Sequence, residues 1–287
     1  MTAERPLPDF VVIGAMKTGT TSLHHHLRAH PRVHIPAEKE LNFFVEQHHW
    51  GRGVEWYEQQ FRRAPEGALL GDVSPDYSKY PHYGGVPERM ASVVPDVRLL
   101  YLVRDPIARM RSHYRHQVGA GREERPVDRA LLEDRRYLDV SRYATQLDQY
   151  LEHFDREQML VVLSEDLRSD EDTILQRVFA FLGLDAPAER AAGEWNRSDQ
   201  IGRRRWLARL GARIPYAREL MERLPPAARD RVMRLGFRPV AMPTSEPSPE
   251  VEARLRDELA GEVERLGREW LPQAPRRWGF TPAVTER

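Results

Sequence analysis

Phe10-Val11-Val12-Ile13-Gly14-Ala15-Met16-Lys17-Thr18-Gly19-Thr20-Thr21 is the stretch whose reading decides the fold. With Asp9 in front, its uncharged half predicts a short buried strand. Thr20 to Ala29 then predicts a helix, entered through small hydroxyl residues suited to capping. A strand, a small-residue loop and a helix N-terminus in that order make an anion cradle. Backbone N–H groups point into the loop, and the helix dipole favours negative charge. Thr18, Thr20 and Thr21 add hydroxyl donors, and Lys17 adds a point charge. An ordinary strand-to-helix turn is the plainer alternative, but it gives no reason for glycines, lysine and threonines to coincide.

The same unit recurs outward from this stretch. Ala68 to Val73 reads as a strand ending in a Ser74-Pro75 turn, Val97 to Val103 as a strong strand, and Met159 to Leu163 as a short apolar one. Helices are predicted over Val54 to Phe61, Val86 to Val94, Ser141 to Phe154 and Asp170 to Leu182, the last ended by Gly183. Asp105-Pro106 starts another helix reaching about Val118, because Asp caps well and Pro fits the first turn. Alternating strands and helices predict an α/β chain: a P-loop-like three-layer fold with a central parallel sheet flanked by helices. Gly119 to Pro126 is a polar loop, and order breaks down from Ala186 to Arg205. Trp206 to Leu224 reads as helical, Pro239 to Pro249 as a linker. Pro249 to Leu271 is an amphipathic helix whose stripe of Val251, Leu255, Leu259, Val263, Leu266 and Trp270 suits core packing.

Composition bounds the rest. A chain of 287 residues fits one large α/β domain or two small ones. Lys plus Arg number 44 and Asp plus Glu 44, so no global field draws the chain to nucleic acid or membrane, and any anion site is local. The absence of cysteine excludes disulfides, thiolate zinc sites and cysteine nucleophiles. No apolar run is long enough to span a bilayer, and Met1 to Asp9 carries no apolar signal region, so the expected compartment is the cytoplasm. Of the 44 basic residues only Lys17, Lys39 and Lys79 are lysine. Arginine fills most cationic positions, which marks these three as places for a compact, mobile ammonium.

The loop is near the nucleotide P-loop G-x-x-x-x-G-K-[ST] without matching it. Gly14 and Gly19 have the glycine spacing, but Thr20 follows Gly19 and the lysine stands two residues before it. A P-loop kinase or nucleotide-binding protein is therefore the alternative reading. Lys17-Thr18-Gly19-Thr20-Thr21 after a strand instead resembles the 5′-phosphosulfate loop of sulfotransferases that use 3′-phosphoadenosine 5′-phosphosulfate (PAPS). Arg104-Asp105-Pro106 with Ser112 resembles the family's 3′-phosphate unit. Lys39-Glu40-Leu41-Asn42-Phe43-Phe44 resembles the K-E-x-x-F-F stretch of the heparan sulfate (N-/3-O-) type. Gly71-Asp72-Val73-Ser74-Pro75-Asp76-Tyr77, Tyr143 and Ser164-Glu165-Asp166-Leu167 follow in the family's order.

The resemblance implies PAPS as co-substrate, adenosine 3′,5′-bisphosphate (PAP) as product, no metal, and in-line transfer to a hydroxyl or amine of a carbohydrate, lipid or secondary metabolite. It implies that Lys17, Thr18, Gly19, Thr20, Thr21, Arg104, Ser112, Tyr143, Arg203 and Arg204 bind the cofactor, and that Glu40, Lys17 and Lys39 carry the chemistry. It also implies one domain over residues 1–287, with a core at about 9–184 and a cofactor-covering loop and helices at about 185–287. Base identity stays open between Glu40, Asp72 and a histidine such as His82 or His113. Relatives carry Glu-Lys-Thr-Pro where this chain has Asp72-Val73-Ser74-Pro75, so Lys79 or Arg89 is expected to replace the missing lysine. His24-His25-His26 looks like a metal cluster, but adjacent helical residues point to different faces.

Overall fold

The computed structural model describes residues 6–187 and 244–280. Strands β1 (Phe10–Gly14), β2 (Val33–His34), β3 (Leu69–Val73), β4 (Arg98–Val103) and β5 (Met159–Leu163) form one sheet in the order β2-β3-β1-β4-β5. Every pairing is parallel, with Phe10 opposite Gly71 on one side and Arg98 on the other. Parallel strands need crossovers, and the helices supply them. They are α1 (Thr20–Ala29), α2 (Val54–Phe61), α3 (Val86–Val93), α4 (Pro106–Gly119), α5 (Val127–Glu133), α6 (Arg135–Asp139), α7 (Tyr143–Leu151), α8 (Asp166–Ser169), α9 (Glu171–Phe181), α10 (Pro249–Glu269) and α11 (Ala274–Arg277).

Strand side chains alternate between two cores. Val11, Ile13, Leu99, Tyr101, Val103, Val161 and Leu163 face one side, with Ile107, Met110 and Tyr114 of α4 and Leu255, Leu259, Val263 and Leu266 of α10. Phe10, Val12, Leu100, Leu102, Leu160 and Val162 face the other, with Leu23 and Leu27 of α1 and Val178 and Phe179 of α9. The sheet is thus buried on both faces, as parallel sheets are, and the three-layer α/β expectation holds.

Chain order reverses about β1. The chain leaves β1 through α1 on one face, builds β2 and β3 on one flank, then crosses to β4 and α4 on the other flank and face. Such a switch point opens a crevice at the carboxyl ends of the two central strands, where ligands of open α/β sheets bind. Lys17 lies in the loop after β1 and Arg104 in the loop after β4, so topology brings them to the same crevice.

The predicted elements recur with small shifts: the helix expected from Ser141 is Tyr143–Leu151, and the strand expected from Ala68 begins at Leu69. Edge strand β2 went unpredicted because two residues carry no period; its pairing with β3 creates it. α5 and α6 also went unpredicted, since each is too short and charged for a stripe to stand out. The helix expected over Trp206 to Leu224 and the basic run with Arg203 and Arg204 lie outside the described residues. Among the described residues no helix is long and apolar enough to cross a membrane.

Candidate active site

The loop after β1 is shaped by backbone geometry. A register shift between Val12 and Gly14 against β4 makes an irregularity at the strand's end, a common device beside functional sites. Lys17 (φ 75°) and Gly19 (φ 100°) are left-handed, so successive amides turn toward a common concavity of the kind that holds anions. α1 begins with no side-chain cap and no acidic residue in its first turn. Its orphan N–H groups and positive dipole end are therefore open to an anion. Gly14 is required by space: a Cβ there would lie 1.9 Å from Ser78 Oγ.

The threonines divide their work. Thr18 is buried and its hydroxyl donates to Ala15 O at 2.7 Å, so it closes the loop instead of offering a free proton. Thr20 is buried at the helix start. Thr21 is exposed, and its Oγ1 accepts from Lys39 Nζ at 2.8 Å, which leaves its own proton for a ligand.

That bond brings the segment bearing Glu40 to the loop after β1. Lys39 Nζ is also 3.4 Å from Glu40 Oε1. Glu40 and Asn42 are left-handed at φ 63° and 48°, unusual for residues with a Cβ and strained for glutamate. The Lys17 ammonium makes no hydrogen bond or ion pair among the described residues. Burial, then Arg115, pushes its pKa below the ordinary lysine range; Lys39 and Arg104 act the same way, while Glu40 opposes them. Lys17, Arg104, Arg115, Lys39 and Glu40 therefore share one electrostatic neighbourhood with an excess of positive charge.

Arg104 is set by the helix start. Asp105 caps α4 by accepting from Ala108 N at 2.7 Å, and its own N–H donates to Glu165 Oε1 at 2.9 Å. The Arg104 pKa is lowered by burial first, then by Arg168. Its guanidinium has no hydrogen bond or ion pair among the described residues. Ser112 lies two turns along α4 and is buried. Tyr143 is buried beside Arg104, its pKa raised mainly by burial. Its hydroxyl is buried without a hydrogen-bond partner among the described residues, and its ring lies against Trp278. Arg115 and Arg168 were not singled out from the sequence. The signal for Arg115 was its position three residues after Ser112, on the same helix face.

The other candidates are committed elsewhere. Asp72 is buried and its carboxylate accepts from Tyr57 Oη (2.9 Å), Tyr77 Oη (2.7 Å) and Ser74 Oγ (2.7 Å). Burial raises its pKa and those bonds pull it back, so three hydroxyls already fill the carboxylate a base would need. Arg109, fully buried, donates to Ser141 Oγ, Tyr137 O and His113 Nδ1. His113 Nδ1 must then accept from a permanent cation, and burial with Arg109 drives its pKa far down. Such an imidazole cannot take a proton. Its Nε2 is paired with the Gln117 side-chain amide at 3.0 Å. His82 Nε2 lies 3.2 Å from Asp139.

Lys79 Nζ is 2.5 Å from Asp76 Oδ1 and acts electrostatically on His113 and His116; His116 in turn feels Lys17. Arg89 donates to Phe44 O and Gly84 O, so its fork is taken by backbone. His24 and His26 are buried, and His26 pairs with Glu171. Among the described residues no group of three His, Cys, Asp or Glu is placed to hold a metal ion.

Among the described residues, a switch-point crevice with an uncapped helix N-terminus, two cations without partners and a carboxylate tied beside the loop suits a phosphorylated, anionic ligand. A family model described as Sulfotransferase domain matches residues 7–200, and the chain belongs to that family. Thr20, where a kinase P-loop has lysine, accords with this. The chain is 32% identical over 199 residues to a mouse protein, "Bifunctional heparan sulfate N-deacetylase/N-sulfotransferase 4", covering 62% of this chain and 22% of the relative. It is 33% identical over 190 residues to mouse "Heparan sulfate glucosamine 3-O-sulfotransferase 3A1", covering 63% of this chain and 47% of the relative. The matched stretch thus spans less than half the length of either. The crystal structure of a sulfotransferase from Alicyclobacillus acidocaldarius shares the fold at a TM-score of 0.67 and 24% identity, over 95% of this chain and 98% of that one.

Proposed function

We propose that this chain moves the sulfuryl group of PAPS to a hydroxyl or amine of an acceptor. The acceptor oxygen or nitrogen attacks sulfur in line with the bond to the 5′-phosphate. The new S–O or S–N bond forms as the old S–O bond breaks, and its electron pair leaves on the phosphate oxygen of PAP. The acceptor's proton passes to Glu40. Positioning and electrostatics carry such a displacement, as in phosphoryl transfer. Lys17 stabilises the charge growing on the leaving oxygen. Thr20, Thr21, the Gly19 turn and the open end of α1 hold the 5′ end; Thr18 holds the loop in shape, and Tyr143 lies beside Arg104. Arg104 and Ser112 take the 3′-phosphate, a planar fork and a hydroxyl suiting its oxygens. Arg203 and Arg204 add positive charge for the cofactor in this reading. One domain of residues 1–287 does this, with its core at about 9–184. A chain without cysteine has no disulfide to protect, which favours the cytoplasm.

The observation that carries the reading is convergence: Glu40, Lys17 and Arg104, from three separate chain regions, lie in one electrostatic neighbourhood. Similarity to heparan sulfate N- and 3-O-sulfotransferases favours a carbohydrate amine or hydroxyl as acceptor. The test has two arms. PAP should raise Tm well above any rise from ATP with magnesium, since only binding to the folded state shifts stability. In a screen of glycans with radiolabelled PAPS, Glu40→Gln should lose turnover while keeping PAP affinity. Selective stabilisation by ATP-magnesium overturns the assignment, and full turnover in Glu40→Gln overturns Glu40 as the base.

A further inference from the structure

The segment after Glu40 is anchored through side chains of β3 and the turn that follows it. Asn42 N donates to Ser74 Oγ at 3.1 Å, and Phe43 N donates to Tyr77 Oη at 2.9 Å. Both hydroxyls pass their own protons to Asp72: Ser74 to Oδ1 and Tyr77 to Oδ2, each at 2.7 Å. Each therefore accepts from a backbone amide and donates to the same buried carboxylate. A hydroxyl that must donate to an ionised acceptor has a fixed rotor, and its lone pairs are aimed at the amide.

We propose that Asp72, Ser74 and Tyr77 are positioning residues for sulfuryl transfer: a buried relay that fixes the Asn42 and Phe43 amides and thereby holds Glu40 against the phosphate loop. The inference rests on Glu40 as the base. A left-handed glutamate costs on the order of 1 kcal/mol or more and persists only where its surroundings over-determine it. His49 Nδ1 also donates to Leu41 O at 2.6 Å, Arg89 donates to Phe44 O, and Leu41, Phe43 and Phe44 are buried, while the relay holds the amides of Asn42 and Phe43. Glu40 and Lys39 are partly exposed, and a surface pair of this kind fixes little. The relay bonds are all buried.

The chemistry of the hub is specific to a carboxylate. An amide at position 72 has one acceptor oxygen and one donor nitrogen. If the nitrogen faces the tyrosines, Tyr77 must accept twice and its proton is orphaned. If it faces Ser74, the same befalls Ser74. Either arrangement leaves a buried hydroxyl proton unsatisfied and unfixes the rotor that aims a lone pair at an amide of the Glu40 segment.

Tyr57 supplies the control. It gives Asp72 a hydroxyl bond at 2.9 Å, like Tyr77, but its hydroxyl holds no amide of the segment. Tyr57→Phe and Tyr77→Phe each remove one hydroxyl from the same carboxylate and keep the ring. Only the second releases Phe43. Turnover of PAPS is read with a de-N-sulfated heparan sulfate oligosaccharide as probe acceptor and, separately, with water. Tyr77→Phe and Ser74→Ala should lower kcat by about 10- to 100-fold, the scale of small misplacements of a reacting group. The Kd for PAP should stay unchanged, and Tyr57→Phe should retain kcat. In a Glu40→Gln background the Tyr77→Phe change should cost nothing further in kcat, because coupled residues are non-additive. Equal kcat in Tyr57→Phe and Tyr77→Phe, with Glu40→Gln inactive, overturns the relay and leaves the base standing. Wild-type turnover in Glu40→Gln overturns the base, and the relay's role falls with it.

Discussion

Lys39 and Thr21, eighteen positions apart, are joined by a 2.8 Å hydrogen bond that ties the Glu40 segment to the first helix beside the loop after β1. Lys39 is partly exposed, so the bond and the neighbouring contact with Glu40 contribute at most about 1 kcal/mol to stability. Lys39→Met should therefore leave the urea midpoint nearly unchanged while lowering kcat. A fall in stability with intact kcat would make Lys39 a plain surface strut.

Lys17 gives a pH signature. Burial and Arg115 push its pKa below the ordinary lysine range, so free enzyme loses the charged form earlier on the alkaline side than an exposed lysine does. The alkaline limb of kcat/KM reports free-enzyme groups and should fall below the usual lysine titration. Lys17→Arg cannot deprotonate in that range. Its activity should be reduced, because a planar fork replaces a compact ammonium, and its alkaline limb should be absent. A limb that survives unchanged in Lys17→Arg belongs to another group.

Arg104→Ala should weaken PAP about 10- to 100-fold, the scale of one lost charged hydrogen-bonding partner. Arg104→Lys should recover only part of this, since an ammonium cannot make a bidentate contact. Titration calorimetry reads both, and full recovery in the lysine variant would show that charge alone matters.

Two glycines separate loop shape from sheet packing. A Cβ on Gly14 would overlap Ser78 Oγ, and one on Gly71 would lie 2.1 Å from Phe10 Cζ. Gly71→Ala crowds the core between β3 and β1, well before the crevice, and should cost stability by about 1–3 kcal/mol, as overpacking does. Folded Gly71→Ala should keep PAP affinity. Gly14→Ala should lose PAP affinity even where it folds, because the strand end it distorts carries the loop. Denaturant titration with a PAP binding curve distinguishes them.

What could be read from the residues follows their physics. The strand-loop-helix at Phe10 to Ala29 was plain because an apolar run, two glycines and a helix start lie within twenty residues. Glu40 needed the neighbouring Phe43 and Phe44 to be noticed, and those rings are fully buried core with Tyr57 and Tyr77. Asp72 stood out only as a spare carboxylate. Its real surroundings are made by residues fifteen positions before and five after it, and by a segment some thirty positions away. Arg109 was invisible: a lone arginine in a basic helix gives no sign that it is fully buried against Ser141 and Tyr137. Long-range pairings of this kind leave no local period to read.

Buried and half-buried histidines contribute to the acid response of stability. Burial, then Lys39, holds His24 down to about 4, and burial, then Lys17, holds His116 down to about 4. His113, buried against Arg109, lies lower still. Unfolded, each titrates near 6.5. Between that value and the folded one the unfolded chain binds more protons, so stability rises with pH there. The stabilisation is full above about 6.5 and is lost as pH falls toward 4 and beyond. The raised carboxyls Asp72 and Asp105 act in the opposite sense, since their folded forms hold protons more tightly. A total slope therefore mixes both, and a single substitution isolates the histidine part. His113→Gln keeps a side chain able to accept from Arg109 and cannot titrate. Its stability should fall less steeply between pH 6.5 and 4.5 than wild type, by a limiting difference of about 1.4 kcal/mol per pH unit. Denaturant titrations across that range read the slope, and parallel curves for the two proteins would mean that His113 is protonated in the folded state after all.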